Sequence, residues 1–71
     1  MIPYYFLLER IDGVDHPAPG ADANRRFGLL SQAETRALFL VAQGRTIVLM
    51  GGVRGVDDDE PQVIKVYQPG A

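Results

Sequence analysis

From residue 31 to residue 68, signals for helix, glycine stop, strand, acidic turn and strand follow one another without a gap, and no other stretch limits the fold as tightly. Ser31-Gln32-Ala33-Glu34 has the spacing of a capping box, in which the Ser31 hydroxyl accepts from the Glu34 backbone N–H and the Glu34 carboxylate reaches back to the N–H of Ser31. The pattern predicts a helix from there to about Gln43, with Gly44 placed for a left-handed C-terminal stop. At 100° per residue Ala33, Ala37, Leu38, Leu40 and Val41 form one apolar stripe. Gln32, Thr35, Arg36 and Gln43 lie opposite, with Phe39 among them. Residues 46–50 are apolar and β-branched on both faces, as in a central strand, and Gly51-Gly52 bounds them. Residues 62–68 alternate, with Val63, Lys65 and Tyr67 on one face and Ile64 and Val66 on the other. The turn between these strands falls at 57–61.

Upstream, residues 4–11 read as a strand that is apolar on both faces, so that it is covered on both sides or belongs to an interface. Asp12-Gly13 ends it with turn chemistry. Residues 14–26 contain Pro17, Pro19, Gly20, Asp22 and Asn24, keep no period of 2 or 3.6, and are expected to form a mobile loop. Phe27, Leu29 and Leu30 return the chain to the core, and 69–71 are expected to fray. The expected fold is a single α+β domain over 1–71, in the order β-α-β-β. One helix packs on a three-stranded sheet that ends in an antiparallel hairpin. The first strand either joins residues 46–50 in parallel through a helical crossover or lies antiparallel at the other edge.

A chain of 71 residues buries only about 60% of its unfolded surface, so the core is thin. It has no cysteine and one histidine, which removes disulfides and cysteine-based zinc sites and fits a cytoplasmic setting. At 46% hydrophobic and 23% charged it has the composition of a globule. No apolar run approaches the length of a membrane span, and the apolar stretch near Met1 has no basic residues before it, so a secretory signal is not expected. The net charge is −2, and the arginines are spread along the chain, so direct nucleic-acid binding is not expected.

Catalysis is not expected either. Ser31 has a structural role as a cap, and His16, in Asp15-His16-Pro17, has no cysteine or second histidine to work with. Gly51-Gly52-Val53-Arg54-Gly55 lacks the Gly-Lys-Ser/Thr ending of a phosphate loop. Asp57-Asp58-Asp59-Glu60 lacks the spaced ligands and turn glycine of a calcium loop. Neither a cofactor nor a metal is expected.

Three features point to binding. Asp57, Asp58, Asp59 and Glu60 form an acidic hairpin tip suited to steering a basic partner, or simply to solvating a turn. Phe39 beside Arg36 has the composition of an interface anchor, or else residues 14–26 wrap the helix and cover the ring. Tyr4, Tyr5 and Phe6 offer an aromatic strand for a partner or a second copy. In size, element order, this aromatic strand and the acidic run, the chain resembles the small bacteriophage-encoded regulators of host RNA polymerase. The resemblance implies a non-enzymatic protein that binds the polymerase in the host cytoplasm and alters transcription initiation or termination, as an inhibitor or an antitermination factor. Two other readings stay open. One is a structural or assembly protein that self-associates through its N-terminal strand. The other is an acidic nucleic-acid mimic that blocks a host enzyme.

Overall fold

The computed structural model describes residues 2–55 and 60–70. The aromatic and branched residues near the start form β1 (Ile2–Ile11), which Asp12-Gly13 turns straight back into β2 (Val14–Pro17). Both turn residues have positive φ, 52° and 79°. A two-residue type I′ turn requires this, and its twist matches that of the flanking strands. The expectation of a structureless loop over 14–26 is thereby corrected, since the segment holds a strand and a 3-10 turn at Gly20–Asp22. Pro17 masks the strand in the sequence, yet proline is tolerated on a sheet edge, and β2 is an edge.

The helix α1 (Leu30–Val41) and the strands β3 (Ile47–Arg54) and β4 (Gln62–Tyr67) complete an α+β domain with one helix on a four-stranded antiparallel sheet. The sheet order is β2-β1-β3-β4, so the expected three strands become four. Neither placement foreseen for the first strand holds. β1 pairs with β3 directly and antiparallel, with Leu7 opposite Leu49 and Glu9 opposite Ile47. The physical reason is an added reversal. After β2 the chain runs on past β1 until Phe27 bridges Tyr5 through two backbone hydrogen bonds of 2.8 and 2.9 Å. Helix α1 then carries it back to the level of Glu9, where β3 starts against β1 in the opposite sense.

The core lies between α1 and one face of the sheet. Leu7, Ile47, Leu49 and Tyr67 from the strands meet Ala33, Ala37 and Leu40 from the helix, with Ala18 and Phe27 closing one side. Two alanines on the buried stripe let the helix approach the sheet closely. Leu38, assigned to that stripe from the sequence, is instead 58% exposed, because the contact stripe is narrower than the apolar one.

The capping box does not form. Leu29 is the N-cap, in extended conformation and without a side-chain cap, and Ser31 lies inside the first turn. The Phe27–Tyr5 bridge fixes where the chain leaves the sheet, and the helix begins two residues before the box would allow. Thr35 Oγ1 donates to the Ser31 carbonyl at 2.9 Å. Ser31→Ala should therefore change stability by less than about 0.5 kcal/mol, whereas loss of a true cap costs about 1. A thermal melt distinguishes the two. At the other end Gly44 has φ 87°, and its N–H donates to the Val41 carbonyl at 2.9 Å, the left-handed stop read from the sequence.

β3 runs through Gly51-Gly52 rather than ending there. A Cβ on Gly51 would stand 2.6 Å from Ile64 Cδ1 and 3.3 Å from Tyr5 Cδ1, so glycine makes room for both side chains. A bulge at Leu49/Met50 shifts the register of β4, setting Lys65 opposite Leu49 but Val63 opposite Met50. The simple alternation expected for β4 fails at this point, and Val63 leaves the face of Lys65 and Tyr67.

Candidate functional site

The outer flank of α1 and the segment before it enclose a shallow groove of about 540 Å³, lined by Arg25, Phe27, Gln32, Thr35, Arg36 and Phe39. The helical period places Phe39 outside the core stripe, and its ring is 50% exposed. Arg36 reaches across to the 3-10 turn. Its Nε and Nη2 donate to the Asp22 carboxylate at 2.9–3.1 Å, a bidentate fork. Asp22 is 4% exposed, and Arg25 Nη1 lies 3.5 Å from its Oδ1. The Arg36 guanidinium sits 4.4 Å from the Phe39 ring centroid, and that of Arg25 4.7 Å from the Phe27 ring centroid. The groove is therefore a rigid arrangement in which one buried carboxylate orients two cations against two rings.

Arg36 and Phe39, both candidates from the sequence, thus come together as expected. Arg36, however, is committed to Asp22 and works as a support for Phe39 rather than as a free contact. Asp22 was missed. It is 14 residues from Arg36 and sits among loop-forming residues, so no local pattern marks it as buried.

The aromatic triplet separates across the sheet. Tyr5 shares the helix side and packs on the core, while Tyr4 and Phe6 point to the opposite face. The strand expected to offer itself to a partner is interior to the sheet, between β2 and β3, and at Tyr5 its backbone N–H and carbonyl both bond to Phe27. Tyr5 and Glu60 instead line a second hollow of about 380 Å³ with Pro3, Gly51 and Ile64. Asp57, Asp58 and Asp59 lie outside the described residues. On the far edge, Arg10 Nε donates to Asp15 at 2.8 Å, and this hydrogen bond holds the Asp15 carboxyl below the ordinary carboxylate range.

What these observations define is a small two-layer α+β domain with a helix-side groove and an aromatic sheet face. No family model matches the chain, and no curated protein or solved structure is significantly similar to it.

Proposed function

We propose that this chain is a non-enzymatic protein-binding module that engages its partner through the helix-side groove, with Phe39 as the anchor. The observation that carries the reading is the half-exposed Phe39 ring backed by an arginine that a buried carboxylate holds in place. Interface energy concentrates on aromatic anchors that pay little conformational entropy on binding, and a ring braced in this way is such an anchor. The polar groups around it are cations, hydroxyls and the Gln32 amide, and the Thr35 hydroxyl is already spent on the Ser31 carbonyl. This composition suits recognition better than proton transfer.

The narrower proposal is a regulator that occupies host RNA polymerase, as the resemblance in size and element order implies. Polymerase is accordingly the first partner to assay. Phe39→Ala should weaken binding to the polymerase by about thirtyfold while leaving the melting temperature within a few degrees, since the ring is outside the core. Calorimetric titration of parent and variant checks this. Equal affinities would remove Phe39 as the anchor and the groove with it.

A further inference from the structure

The face of the sheet turned away from α1 is half-buried and carries a different chemistry from the groove. By register it holds Tyr4, Phe6 and Leu8 from β1, Met50 and Arg54 from β3, and Val63 and Val66 from β4, around a fully buried Val48. Tyr4 and Phe6 stand parallel, 12° apart in plane with centroids 6.1 Å apart. Arg26 joins them because the chain pairs with β1 at Phe27. Phe27 faces the core, so the residue before it faces the other way. The Arg26 guanidinium lies 4.4 Å from the Phe6 centroid and 5.7 Å from that of Tyr4, and Arg54 approaches the same Tyr4 ring at 5.7 Å.

The charge on this face is out of keeping with the chain. Arg26 and Arg54 make no hydrogen bond or ion pair among the described residues, in contrast to Arg10, Arg25, Arg36 and Arg45, which all have carboxylate partners. Asp15 is the described acidic residue that the register puts on this face, and Arg10 neutralises it. Among the described residues this face thus carries two cations without a carboxylate partner, in a chain of net charge −2. Arginine stacked on a ring spends its plane on the π cloud and keeps its in-plane N–H donors for an anion.

We propose that this face binds single-stranded nucleic acid, with Arg26 and Arg54 holding phosphates and Tyr4 and Phe6 stacking against bases. Three features favour this occupant. Each ring and guanidinium pair leaves its outer faces for a further plane, which unpaired bases match and aspartate or glutamate side chains do not. The floor of the face is β1 and β3 backbone already paired within the sheet, so a peptide gains no ladder hydrogen bonds there. A second copy packed face to face would set unpaired cations against cations. The arginines' separation along the chain, 26 and 54, hides this cluster from a reading of charge by segment.

The test is a fluorescence-anisotropy titration with labelled oligothymidylate and oligouridylate of about twelve nucleotides at about 50 mM salt. Poly-glutamate and a duplex of the same length serve as competitors. Saturable binding is expected for both single strands, because stacking and phosphate contacts are indifferent to the sugar. The slope of log K against log salt should be about −1.4, the value for two neutralised phosphates on a single strand. Arg26→Ala and Arg54→Ala should each weaken binding about tenfold and bring the slope to about −0.7. Phe6→Leu, which keeps the position apolar, should weaken binding and leave the slope unchanged. Arg45→Ala removes an equal charge from the helix side and should have little effect. Absence of saturable binding would overturn the proposal, as would arginine variants that bind like the parent. Displacement by poly-glutamate as effective as by oligonucleotide would assign the face to an acidic protein instead. Displacement as effective by duplex would reduce it to unspecific charge.

Discussion

Leu49→Ala should leave the chain unfolded at temperatures where the parent is native. Leu49 is fully buried at the centre of β3, opposite Leu7 on one side and Lys65 on the other. Truncation of such a leucine loses its transfer energy and leaves a cavity, about 2–5 kcal/mol in all. A domain of 71 residues has a total stability of only about 4–11 kcal/mol at typical values per residue. Each kcal/mol moves the midpoint of a domain this small by about 4–8 °C. A fall of about 8–40 °C in the circular-dichroism melt is therefore expected. A fall below about 5 °C would mean that the helix–sheet cluster is not where this fold draws its stability.

The second large effect is expected at the Asp22–Arg36 fork. Arg36→Ala strips a nearly buried carboxylate of its bidentate partner and leaves Arg25 at 3.5 Å as the remaining cation. A fully buried charge left unpaired costs about 3–5 kcal/mol. The Arg36 side chain is one-third exposed, so solvent already screens part of the pair, and about 2 kcal/mol is the expected loss. Arg36→Lys should recover little of it, because a single ammonium does not reproduce the two-point contact. Asp22→Asn combined with Arg36→Ala should be less destabilised than the sum of the single changes, and a denaturant-melt cycle measures that coupling. Additive losses would show that the fork contributes no specific interaction. Arg36 is thus a poor probe of binding, since its removal disturbs the fold, and Phe39→Ala is the cleaner variant.

Local signals in the sequence account for the helix, its glycine stop and the two C-terminal strands, because period and stop residues act within a few positions of each other. The α+β class follows from them. Asp12-Gly13 between apolar runs was a hairpin signal in plain view, but the four-residue strand after it ends in proline and contains no alternation long enough to register. Ser31 had every local mark of a cap, and a tertiary contact, the Phe27–Tyr5 bridge, overrode it. Helical spacing puts Phe39 off the core stripe, but its half-exposure also depends on where residues 14–26 run, which no local pattern fixes. Nor does any fix the support beneath it, since Asp22 and Arg36 are joined only by folding. The same holds for Arg26 and Arg54, whose convergence on one tyrosine depends on sheet register. Tyr4, Tyr5 and Phe6 looked like one motif, and the two-residue period of the strand divides them between two faces.

The position of β1 in the middle of the sheet has a consequence for synthesis. Leu7 must wait for Leu49, 42 residues later, before its main neighbour exists. At ribosomal rates of about 5–20 residues per second, that delay is about 2–8 s. During it, the β1–β2 hairpin is the one pairing of β1 whose partner strand follows directly, and it reaches only from Leu8 to Ile11. The nascent segment Tyr4-Tyr5-Phe6-Leu7 is meanwhile aromatic, uncharged and paired at Tyr5 alone once Phe27 follows, the composition that binds chaperones or other nascent chains. The stretch that becomes the interior of the finished sheet is the most exposed part of the unfinished one. Yield on expression should therefore respond to elongation rate and chaperone supply more than to the stability of the native state.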